Sequence, residues 1–160
     1  MEQQNNGQAV LPRRLRRLAT IISASHWISM GYTEDDARLM EELQNNIKKY
    51  CDESDDSIIK LSGKVTGILT RNDMLAHHDM MLPHWQKFRD GMSGRNTVKD
   101  VYLCGVELPV SVLDIILPTL QSMNLSRLTL WSVGLRNEGF LHLSSFLEKN
   151  KFEVSRLLPG

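Results

Sequence analysis

Three histidines, His77, His78 and His84, stand close together in this chain, with Asp73 and Asp79 beside them. Imidazoles and carboxylates are what a transition metal takes, but they must converge. Here Pro83 interrupts the helix that would align His77 with His84, and there is neither an HExxH motif nor a Cys/His set, so the three read as exposed loop histidines. The acidic run at 51–56 could hold calcium, yet it lacks the ligand order, the glycine and the final glutamate of an EF-hand loop and reads as solvated. Cys51 and Cys104 lie far apart in no metal pattern, which predicts free thiols and a reducing, intracellular and cytoplasmic setting. No G-x-S-x-G and no phosphate-cradling G-x-x-x-x-G-K occurs. No catalytic residue, metal or cofactor is therefore expected, and the chain does not read as an enzyme.

The chemistry left is recognition, and the apolar pattern says where it would sit. Val98, Val101, Leu103, Val106 and Leu108 form an uneven comb, and Leu125, Leu128, Leu130, Val133 and Leu135 repeat it 27 residues later. Alternate residues of a strand point to one side, so Val101 and Leu103, like Leu128 and Leu130, turn inward together. After each comb comes a stripe at helical spacing: Val112, Leu113, Ile116, Leu117 and Leu120 in the first copy, Phe140, Leu143, Phe146 and Leu147 in the second. Pro109 suits the first turn of one helix, and Asn137 suits the N-cap of the other. Each copy is thus strand, turn and helix, and neither covers its own apolar face without a neighbour.

The segment 125–150 (LSRLTLWSVGLRNEGFLHLSSFLEKN) resembles one leucine-rich repeat of the ribonuclease-inhibitor type, with 98–124 a looser second copy and a fragmentary third beginning near Phe152. The resemblance implies an α/β solenoid with parallel strands on a concave side and helices outside. In one respect the chain departs from the family: the ninth place, usually Asn or Cys, is valine in both copies (Val106, Val133), so the turn amides need other partners.

Three segments follow from this: a flexible tail at 1–10, a helical N-terminal cap at 11–57 and the solenoid at 58–160. Leu11, Leu15, Leu18 and Ile22, interleaved with Arg13, Arg14, Arg16 and Arg17, predict a basic amphipathic helix to about Ser25. Such a helix packs within the cap, or serves as an organelle address or an anchor on an anionic surface. Thr33 begins a second helix with Glu34, Asp35 and Asp36 in its first turn and Met40, Leu43, Ile47 and Tyr50 as its seam. Residues 58–61 read as a strand, either the first of the solenoid or half of a hairpin, with turns at Gly63 and Gly67. A helix runs from Leu82 with Pro83 in its first turn and Trp85, Phe88 and Met92 inward. No apolar stretch reaches membrane-spanning length, and the zero formal net charge speaks against nucleic acid.

In a parallel stack, equivalent positions of successive copies form rows about 4.8 Å apart. The outward places then offer Asp100, Tyr102 and Cys104 from the first copy and Arg127, Thr129 and Trp131 from the second. Val154, Arg156 and Leu158 would extend the rows, Lys60 would flank them, and Asp100 would pair with Arg127. Tyr, Trp and Arg dominate binding hot spots, so this surface is the expected contact for a protein partner. The last copy, Leu157-Leu158-Pro159-Gly160, brings no polar capping unit, so self-association through that edge, or a longer array, is the other expectation.

Overall fold

The computed structural model describes residues 19–52, 55–64, 74–150 and 153–157, the last by backbone alone. The tail, the arginine cluster and the turn around Gly67 lie outside these residues.

Helix α1 (Ala24–Ser29) is short and is capped by the Ser23 hydroxyl, which accepts from the His26 amide. Residues 19–23 are not helical, in contrast to the helix expected there up to about Ser25. The reason is tertiary. The fully buried Gln44 side chain accepts from the Ile22 amide at 2.7 Å and donates to the Ile22 carbonyl at 3.1 Å, occupying both groups a helix would use. Gln44 belongs to α2 (Glu34–Asp52), whose Thr33 hydroxyl caps the Asp36 amide. Its buried seam is Ala37, Met40, Leu43, Gln44 and Ile47. The helix takes in Cys51 and Asp52, which the sequence assigns to a loop. Asp52 pairs with Lys87 at 3.1 Å, and the Arg95 guanidinium donates to the carbonyls of Tyr50 and Cys51, so partners elsewhere in the fold draw the helix out by half a turn.

Four strands follow, β1 (Ile58–Ser62), β2 (Asp100–Cys104), β3 (Arg127–Trp131) and β4 (Glu153–Leu157), and they lie side by side in chain order, all parallel. β1 is thus the first strand of the stack and not half of a hairpin. Between the strands run α3 (Leu82–Met92), entered through a 3₁₀ turn at Asp79–Met81, then α4 (Val110–Gln121) and α5 (Asn137–Lys149). This alternation around a parallel sheet is a solenoid-like α/β arrangement. Pro83 occupies the first turn of α3 as its fixed φ allows. Pro109 precedes α4 as its N-cap with extended backbone, one place earlier than expected, and Arg136 does the same for α5, so Asn137 is its first helical residue.

The core is one continuous layer. Ile59, Leu61, Val101, Leu103, Leu128 and Leu130 meet Trp85, Phe88, Met92, Val112, Leu113, Ile116, Leu143 and Phe146 from the helices. β2 and β3 pair Val101 with Leu128 and Leu103 with Leu130, the 27-residue offset of the two combs. Val106 and Val133 are buried, and the turn amides they leave without side-chain acceptors bond from turn to turn instead: Glu107 donates to the Leu75 carbonyl, Leu108 to Gly134 and Gly134 to Val106. Gly105 sits at φ +66, and Ser132, 27 residues on, at φ 54, so the turn repeats along with the comb.

Candidate functional site

The alternate residues that do not enter the core define the opposite face of the sheet. Ile58, Asp100, Arg127 and Glu153 share one row by backbone register, Lys60, Tyr102, Thr129 and Arg156 the next, and Ser62, Cys104 and Trp131 the third. A bulge between Leu128 and Thr129 shifts β4 by one residue, so Val154 stands opposite the inward Leu128 rather than in the Arg127 row, while Arg156 keeps its expected place opposite Thr129.

Accessibility divides the residues expected on this face. Lys60 and Arg127 are exposed, and Asp100, Tyr102 and Trp131 are half-buried. Cys104 and Thr129 are buried, at 2% and 7% exposure. Among the described residues no ion pair joins Asp100 to Arg127, although they are register partners. β1 is the outer strand, and its Lys60 amide donates to the Tyr50 hydroxyl of α2 at 3.2 Å, so the N-terminal unit satisfies that edge.

Burial pushes the Cys51 thiol up to about 11, against the opposing charges of Lys87 and Arg95, and burial also raises Cys104, so neither is a ready thiolate nucleophile. The histidines are not exposed loop residues. His84 is buried within α3, and burial, reinforced by Lys87, lowers it to about 4. His78 caps the 3₁₀ turn, its Nδ1 accepting from the Met80 amide at 3.1 Å. His77 has its ring Nε2 3.3 Å from an Asp79 carboxylate oxygen and its amide on Glu107 Oε1 at 3.0 Å. Among the described residues no three His, Cys, Asp or Glu side chains are placed to hold a metal, and no helix is long and apolar enough to cross a membrane. A pocket between α2, α3 and the turn after β2, lined by Met40, Leu43, Leu75, Trp85, Val106 and Glu107, leaves a cavity of only about 10 Å³, far below the ~300–1,000 Å³ of small-molecule sites.

Three structural residues have no strong signal in the sequence. Gln44 falls on the apolar seam of α2, and a polar residue at such a place is the only hint of its clamp on Ile22. Glu41 accepts from the Ala24 amide at 2.6 Å, joining α1 to α2. Glu107 holds His77 from the turn after β2 and is an unremarked acid in the comb. Comparison with known proteins matches no family model, no curated protein and no solved structure.

Proposed function

We propose that this chain is a short leucine-rich-repeat module of the ribonuclease-inhibitor type that binds a protein partner through the helix-distal face of its sheet and catalyses nothing. The observation that carries the reading is the parallel pairing of β2 with β3 at the offset of the two combs, which gives Asp100, Tyr102, Arg127 and Trp131 a common side. Aromatic residues and arginine on one such strip are the composition of an interface centre. Cys104 and Thr129 share these rows but are buried, and Arg156 extends them by register. Affinity capture with the wild type and the Tyr102→Ala, Trp131→Ala double variant tests the proposal. We expect the variant to melt within a few degrees of the wild type and to lose the wild-type partner; full retention of that partner rejects the assignment.

A second reading is favoured by α5. Leu113 of α4 is buried, and a side chain at Gly139 of α5 would abut its Cδ1. Phe140, at the corresponding place of α5 one repeat later, is 45% exposed, and the adjoining Leu141 is 67% exposed. The surface α4 presents to α5 is thus presented again, and a second copy of this chain is the occupant we propose. Light scattering reads the mass: concentration-dependent dimers that vanish in Phe140→Ser, Leu141→Ser support this reading, and a monomer at all concentrations rejects it.

A further inference from the structure

We infer that the helix-distal face of the sheet receives an amphipathic helix of the partner, lying obliquely across β1, β2 and β3. This rests on the protein-binding reading above and adds the partner's shape and charge.

The strand register sets the large apolar side chains of this face on a diagonal. Ile58 stands opposite Asp100, Lys60 opposite Tyr102 and Cys104 opposite Trp131. Ile58 in the first row, Tyr102 in the second and Trp131 in the third thus advance by one strand and one row at each step. All three point away from the helices, since their chain neighbours Ile59, Val101 and Leu130 are core residues. Ile58 is 44% exposed, and Tyr102 and Trp131 are half-buried. The places off the diagonal differ in kind. Beside the step from Tyr102 to Trp131 lie Cys104 and Thr129, small and buried. Beside the step from Ile58 to Tyr102 stand two charges, the exposed Lys60 on one side and the half-buried Asp100 on the other.

Two physical arguments select a helix as the occupant. β2 and β3 are interior strands, hydrogen-bonded to a neighbour on both sides, so the middle of this face offers side chains and no open backbone. An extended peptide, which gains affinity by adding its backbone to a strand edge, finds no edge there, whereas a helix brings its backbone bonds with it. Length agrees. With strands about 4.8 Å apart and rows about 6.6 Å apart, the diagonal from Ile58 to Trp131 is about 16 Å long. The apolar stripe i, i+4, i+7, i+11 of a helix spans about 16 Å as well, at about 1.5 Å per residue. Lys60 and Asp100 then favour an acidic side chain on one flank of that stripe and a basic one on the other, which fixes the direction of the helix.

A phage-displayed library of random peptides, each about 16 residues long so that the whole stripe fits, is panned on the full chain as the test. Clones that fail to bind the Tyr102→Ala, Trp131→Ala variant are those that use the face. We expect them to carry apolar residues at i, i+4, i+7 and i+11 with an acidic residue beside the stripe, and to become helical on binding by circular dichroism. They should bind Ile58→Ser about tenfold more weakly. Lys60→Glu should also weaken them, and exchanging the peptide's acidic residue for lysine should restore that loss. Face-dependent clones with strictly alternating apolar residues, or clones indifferent to both Ile58→Ser and Lys60→Glu, overturn the helix and leave the binding face standing. If no clone depends on Tyr102 and Trp131, both fall.

Discussion

Gly105 shows how far a single residue constrains the turn. Its φ of +66 lies where side chains are strained, and a Cβ there would run into the Lys64 carbonyl. Gly105→Ala should therefore cost at least about 2 kcal/mol, read as a fall in the urea midpoint. Gln44 makes a comparable contribution by a different route. Gln44→Leu keeps the volume but strands the Ile22 amide and carbonyl, and a loss of about 1–3 kcal/mol is expected by the same measurement. His84 sets a pH dependence. Its folded pKa lies below the ordinary 6.5, so the folded state prefers the neutral ring. Its stabilisation is whole above about 6.5 and is lost as the pH falls toward about 4. The loss amounts to roughly 2–3 kcal/mol, and His84→Leu should flatten that stretch of a pH–stability profile.

At the scale of elements, periodicity made the strands and helices readable and local capping made their ends less so. The stripes in α4 and α5 fall at helical spacing and are buried as that spacing requires, because amphipathic burial dominates over the identity of the first residue. Pro109 and Arg136 took the cap positions with no side-chain bond, so the preference for Asn at an N-cap had nothing to act on. The conformation of residues 19–23 and 51–52 is not legible locally, because the groups deciding it, Gln44 and Arg95, are distant in sequence. Likewise, alternation alone does not report that Cys104 and Thr129 are buried. Within α4, Pro118 is exposed and cannot donate to the Asp114 carbonyl, yet the helix continues through it. Pro118→Ala restores that bond, and an increase of about 1–2 kcal/mol in unfolding free energy is expected from calorimetry.

For the whole molecule, the repeat was the most legible feature, since two combs with one offset can bury themselves only by stacking in register. The N-terminal unit belongs to the same design: α2 covers the edge of β1 through Tyr50, and α1 is fastened to α2 through Glu41 and Gln44. The face left over was legible as a set of positions, but not in which of them remain accessible. All of it depends on β2 and β3 being parallel and in register, because a slip of one residue would send Tyr102 and Trp131 to the helix side. Backbone NOEs on isotope-labelled protein measure that pairing directly. Cross-strand contacts are expected between the neighbourhoods of Val101 and Leu128 and of Leu103 and Leu130, in parallel order. Contacts displaced by one residue, or running in antiparallel order, would contradict it.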